Sequence, residues 1–162
     1  MKLRRVPAEL KSRAAGDRVL AWAPSDSSWL AATEAALMLP EGFEPAELSW
    51  DLILRVIWPG DFAEVAYQER AGGAPRVIKV PVHGEMEVLA AVVREQVMAS
   101  IVVQHHVAVD GDRGARLVAR RVPGETDFRW SVVFDFGVDS SNPEVREQID
   151  SALATLRTSL GV

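Results

Sequence analysis

The chain contains no cysteine, a single tyrosine and only three lysines against fifteen arginines. The first absence excludes disulfides, thiolate nucleophiles and sulfur-ligated metal centres together. Also missing is a run apolar enough to cross a bilayer. The longest candidate, residues 86–103, is interrupted by Glu87, Arg94, Glu95 and Gln96, and such groups are costly at the membrane centre. A secretory leader is not expected either, because Pro7, Glu9, Lys11 and Arg13 break the segment after the basic start. No low-complexity tract is present, so the expectation is a folded cytoplasmic protein with no integral membrane association.

What is there suits a folded domain. The chain has 162 residues, 48% hydrophobic and 25% charged, and it is read as one compact unit over residues 1–162. The net charge of −5 is unevenly placed: residues 1–18 carry six basic and two acidic side chains, leaving −9 on the remainder. An acidic body opposes the clustered cations that phosphate binding needs, so nucleic acid is excluded as an expected partner.

Residues 7–15 can form two turns of helix or remain a loose arm. Strands are then expected over residues 17–23, 28–33 and 36–39, separated by Pro24-Ser25-Asp26-Ser27-Ser28 and closed at Pro40. Residues 48–58 read as a longer strand, with Leu52, Leu54, Val56 and Trp58 on one face. A single helical turn near Asp51 is the alternative. A hairpin follows, in which Ala63, Val65 and Tyr67 face Ile78, Val80 and Val82 across a turn at Gly72-Gly73.

The period then changes. Met86, Leu89, Ala90, Val93, Val97 and Ile101 recur at helical spacing, which predicts a helix over residues 84–103 whose β-branched end can already be passing into a strand. Further strands are expected over residues 105–109, 115–122 and 128–134. In the last of these, Phe128, Trp130, Val132 and Phe134 share a face against the final helix. Asn142 before Pro143 opens that helix, and Val145, Ile149, Ala152, Leu153, Leu156 and Leu160 form its stripe up to Gly161.

Three segments carry a family resemblance: Val19-Leu20-Ala21, then Trp29 to Leu39 with Thr33 at the strand end, then Leu48-Ser49-Trp50-Asp51-Leu52-Ile53. Their order resembles the pleckstrin-homology-like domains of bacterial proteins, and the arginine bias suits a GC-rich, actinobacterial genome. The resemblance implies an α+β fold. A strongly curved antiparallel sheet, a split barrel capped by a helix, would span residues 17–103, and a three-stranded meander with a C-terminal amphipathic helix would extend it over residues 104–162. Relatives that bind phosphoinositides use basic residues in the first hairpin loop. Here residues 23–28 hold Asp26 and no Lys or Arg, so that activity is not carried over.

No catalytic constellation is legible, and neither a cofactor nor a metal is expected. His105 and His106 point to opposite strand faces and His83 is distant, so no common ion is expected. Asp110-Gly111-Asp112-Arg113-Gly114 lacks the closing glutamate of a calcium loop and reads as a hairpin turn, while Asp135-Phe136-Gly137 matches a kinase triplet by coincidence. The best ligand candidates are Arg116 and Arg120 on one strand face and Arg129 on the next strand, with His105 tuning the site near neutral pH. Five tryptophans are present, of which at least three are expected to be buried. The reading is a non-catalytic binding or scaffolding module that meets a protein partner and self-associates into a homo-oligomer. The alternative is a receptor for a small anionic ligand. A weaker third reading sets the basic arm, Lys2 to Arg13, against an anionic membrane surface.

Overall fold

Period-two and period-3.6 patterning becomes ten strands and three helices in the computed structural model, which describes residues 4–69 and 74–161. The chain divides into two compact units, Met1–Ser100 and Ile101–Val162. The fold class is α+β, with three antiparallel sheets and a C-terminal helix.

In the first unit, helix α1 (Ala8–Arg13) precedes strands β1 (Val19–Pro24), β2 (Trp29–Thr33), β3 (Ala36–Met38) and β4 (Glu47–Ser49), which form an antiparallel sheet in chain order. A 3₁₀ turn (Trp50–Leu52) leads into β5 (Ile53–Ile57), β6 (Phe62–Tyr67) and β7 (Arg76–Pro81), a second sheet also in chain order. Helix α2 (Glu87–Ser100) follows. One core joins both sheets and α2: Leu30 and Leu37 from the first sheet, Val65 and Val80 from the second, and Leu89 and Val93 from α2 are fully or almost fully buried. The hairpin turn expected at Gly72-Gly73 lies outside the described residues, but its strands pair from Phe62↔Pro81 to Tyr67↔Arg76.

The arm is docked. Leu10 is completely buried against Ala14, Ala31 and Met38, and the Arg13 guanidinium donates to Ser28 Oγ at 3.0 Å and to the Leu39 carbonyl at 2.9 Å. A short helix of low intrinsic stability is thus held by one apolar anchor and a forked cation.

Residues 48–58 are not one strand, because the 3₁₀ turn interrupts them. The register then shifts between Ile53 and Arg55, so Ile53 is fully buried alongside inward Val56 and Trp58, although strict alternation would place it on the other face. The interruption has a purpose in the packing. It buries the Trp50 ring, whose Nε1–H donates to the Thr33 carbonyl at 3.1 Å, while Thr33 Oγ1 accepts from the Ala36 amide and donates to the Ala36 carbonyl. Trp50 is the one buried tryptophan; Trp22, Trp29, Trp58 and Trp130 are half-buried, contrary to expectation. An indole is large and carries one polar edge, so it is rarely covered completely.

The second unit is an antiparallel meander of β8 (Ile101–Asp110), β9 (Arg113–Arg121) and β10 (Phe128–Phe134), followed by α3 (Pro143–Leu160). Gly111, at φ 60°, is the first residue of the two-residue β8–β9 turn, where a side chain would be strained. Asn142 caps α3 by accepting from the Glu144 amide at 3.0 Å, and Gly161 ends it in the left-handed region. Ala115, Leu117 and Ile149 form the buried centre, flanked by Val107, Val109, Val132, Phe134 and Leu156. Phe128 and Trp130 do not join this cluster, although the sequence expectation set all four alternating β10 residues against the helix. The cluster gathers at the Gly111 end of the sheet, whereas Phe128 and Trp130 pair with Arg121 and Ala119 at the other end.

Candidate functional site

Strand register decides which predicted ligand residues meet. Arg129 on β10 sits directly opposite Arg120 on β9, and Arg116 lies four residues back on the same face as Arg120. His105 pairs with Leu117 and therefore points to the opposite, α3-bearing face. The three arginines share a face; His105 is not among them. Its neighbour His106, opposite Arg116, is.

That face is internally engaged. Gln104 Oε1, with the amide oriented to match its neighbours, accepts from both Nε and Nη1 of Arg116 at 3.1 Å. His106 Nε2 lies 2.7 Å from Asp135 Oδ2, and the same oxygen accepts from the Gly114 amide at 2.8 Å. The His106 hydrogen bond, then the Gly114 N–H, hold the Asp135 carboxyl below the usual carboxylate range, and the nearby Arg116 charge adds to this. Arg120 is buried, which removes its head group from the accessible surface.

A second histidine pair has His83 Nε2 at 2.7 Å from Asp26 Oδ1. The neighbouring Ser25 hydroxyl donates to the Pro81 carbonyl at 2.6 Å, so its proton is taken up by the backbone. Among the described residues no group of three or more His, Asp or Glu converges in a way that could hold a metal ion. No helix among them is long and apolar enough to cross a membrane.

Each unit has a cleft between a terminal strand and the helix that follows its sheet. In the first unit, β5 is the terminal strand of β5-β6-β7, and a cleft of about 180 Å³ separates it from α2. Val56, Trp58, Val97 and Met98 make it apolar, with Met98 60% exposed. Arg55 and Arg94 flank it, both exposed and neither in an ion pair with any described residue. In the second unit, β8 is the terminal strand of β10-β9-β8, beside a wider cleft of about 880 Å³ against α3.

No family model matches the chain, and no curated protein or solved structure matches it either. Likeness therefore assigns no function, and the sites themselves must carry it. The sequence reading missed both clefts, because a cleft depends on which strand ends a sheet. The signal available in the sequence was indirect: β8 carries no Lys, Arg or Pro over ten residues, although natural edge strands are commonly blunted by such residues.

Proposed function

We propose that the chain is a non-catalytic binding module acting through protein contacts, and that its first unit is pleckstrin-homology-like. Support for the fold assignment comes from the four-plus-three antiparallel strands in chain order followed by a helix, and from the Thr33–Trp50 hydrogen bond that ties together two of the segments carrying the resemblance. The observation that carries the function is the β5 edge beside an apolar cleft flanked by two arginines.

No strand among the described residues pairs with the outer side of residues 54–57, so an extended segment can add to the sheet there and place alternate side chains in the cleft. Met98 gives the wall an adaptable apolar surface. The flanking charge is wholly positive, so the occupant is an extended segment bearing acidic residues. The anionic small-molecule reading has less support, since Arg116 is held by Gln104 and Arg120 is buried.

The test is an NMR titration of the labelled chain with a blocked ten-residue peptide of alternating valine and glutamate. Expected shifts fall on residues 54–58 and 90–98. An Arg55→Ala, Arg94→Ala double variant should bind about three- to tenfold more weakly, because exposed ion pairs contribute about 0.2–1 kcal/mol each. Shifts elsewhere, or binding indifferent to both arginines, refutes the reading.

A further inference from the structure

The β8 edge of the second unit has the opposite electrostatic character to the β5 cleft. No Lys, Arg, Asp or Glu occurs in this strand before Asp110, and the ladder to β9 is regular from Val103↔Ala119 to Ala108↔Gly114, between register shifts at either end. That regular stretch presents about 20 Å of backbone edge at roughly 3.3 Å per residue, and no strand among the described residues pairs with its outer side. Edges of this length without Lys or Pro are templates for pairing.

The cleft beside that edge selects what pairs there. Its floor is apolar, from Val107 and Val109 on β8 and Leu156 on α3. Along the wall two of the three hydroxyls are committed to their own helix: Thr155 Oγ1 donates to the Ser151 carbonyl at 3.0 Å and Ser159 Oγ to the Leu156 carbonyl at 2.8 Å. The charge of the lining comes from Glu144 and Glu147, both exposed and neither in an ion pair with any described residue; no Lys or Arg lines the cleft.

We propose that the β8 edge and the β8–α3 cleft form a second docking surface, occupied by an extended segment of a partner protein that carries basic residues. The backbone edge supplies pairing, the Val107–Leu156 floor takes alternate apolar side chains, and Glu144 and Glu147 select for positive charge. A second copy of this chain is the less favoured occupant, because its β8 brings no cation to the two glutamates.

The experiment titrates the labelled chain with a blocked ten-residue peptide of alternating valine and lysine, with the valine–glutamate peptide as control. The expected result is shifts confined to residues 102–110 and 144–159 with the lysine peptide, and none there with the glutamate peptide. A Glu144→Gln, Glu147→Gln double variant should weaken lysine-peptide binding about three- to tenfold. Both glutamates are exposed, so the variant keeps its fold, checked by an unchanged amide spectrum away from α3. Equal shifts of residues 102–110 and 144–159 by both peptides, lysine-peptide shifts outside the cleft, or an unchanged affinity in the double variant overturns the proposal. So do concentration-dependent shifts along β8 without peptide, which would assign the edge to a second copy. Failure here leaves the β5 result standing, since the two clefts are read by different peptides at different residues.

Discussion

Replacing Trp50 by phenylalanine isolates the interaction that fixes the turn between the two sheets of the first unit. The indole is 2% exposed and its Nε1–H donates to the carbonyl of Thr33, a residue that is itself buried. Phenylalanine keeps an aromatic ring but removes the donor and part of the volume. Losing a donor to a buried acceptor costs about 1–3 kcal/mol, and the partly collapsed space left by the smaller ring adds about 1 kcal/mol. The expected loss is thus about 2–4 kcal/mol. Urea unfolding followed by far-UV circular dichroism measures it without relying on the altered fluorophore. The same substitution at half-buried Trp22 is the control, with an expected cost below about 1 kcal/mol because its ring retains access to water. If Trp50→Phe costs no more than Trp22→Phe, the Thr33–Trp50 hydrogen bond does not hold the turn, and the argument from interlocked segments fails with it.

Two further outcomes test the second unit. A Cβ added at Gly114 would lie 1.7 Å from the Val107 carbonyl oxygen, so Gly114→Ala must push β8 from β9 and should cost more than about 3 kcal/mol, whereas Gly111→Ala meets no atom within 4 Å and should cost only the left-handed backbone penalty of about 1–2 kcal/mol. Amide hydrogen exchange across residues 103–119 separates the two, and equal loss of protection in both variants would refute the close-approach argument. Asp135 has a lowered folded-state pKa, so its contribution to stability is fully present above the unfolded carboxylate value and disappears as pH falls through the lower folded value. Asp135→Asn should therefore narrow the gap between the urea midpoints at pH 7 and pH 3 while Asp139, also lowered by its Ser141 hydrogen bonds, continues to titrate; an unchanged gap would show that the His106 and Gly114 contacts do not favour the ionised form.

Local patterning made most elements legible and left their junctions obscure. Helix α3 could be read almost to the residue because its cap, its stripe and its terminal glycine agree. The β6 and β7 faces were equally plain, since Ala63, Val65 and Val80 obey strict alternation and are fully buried. The interruption at Trp50 was harder, because its cause is a hydrogen bond to a residue seventeen positions away, which no period in the local sequence encodes. Grouping Arg116 with Arg120 followed from strand parity, but their engagement did not: Arg116 is held by Gln104 on the neighbouring strand, a consequence of register. The burial of one tryptophan and not three reflects tertiary cover, which composition does not contain.

If both clefts dock extended segments as proposed, the distribution of charge sorts their occupants. Strand addition alone is nearly indifferent to sequence, because its hydrogen bonds come from the backbone that every partner shares. Discrimination must come from what flanks the edge, and here each edge is flanked by one sign: Arg55 and Arg94 beside β5, Glu144 and Glu147 beside β8. Charges on exposed rims add little affinity but bias encounter and penalise a partner of like sign. An extended segment that satisfies one cleft is thereby disfavoured at the other. The same charges are screened over about 10 Å at 0.1 M salt, whereas the apolar floors are not, so raising salt should erode the choice between partners before it erodes the docking itself. On the proposed reading, selectivity and attachment rest on separable groups: the flanking charges would decide which segment arrives, and Trp58 with Met98, or Val107 with Leu156, whether it stays.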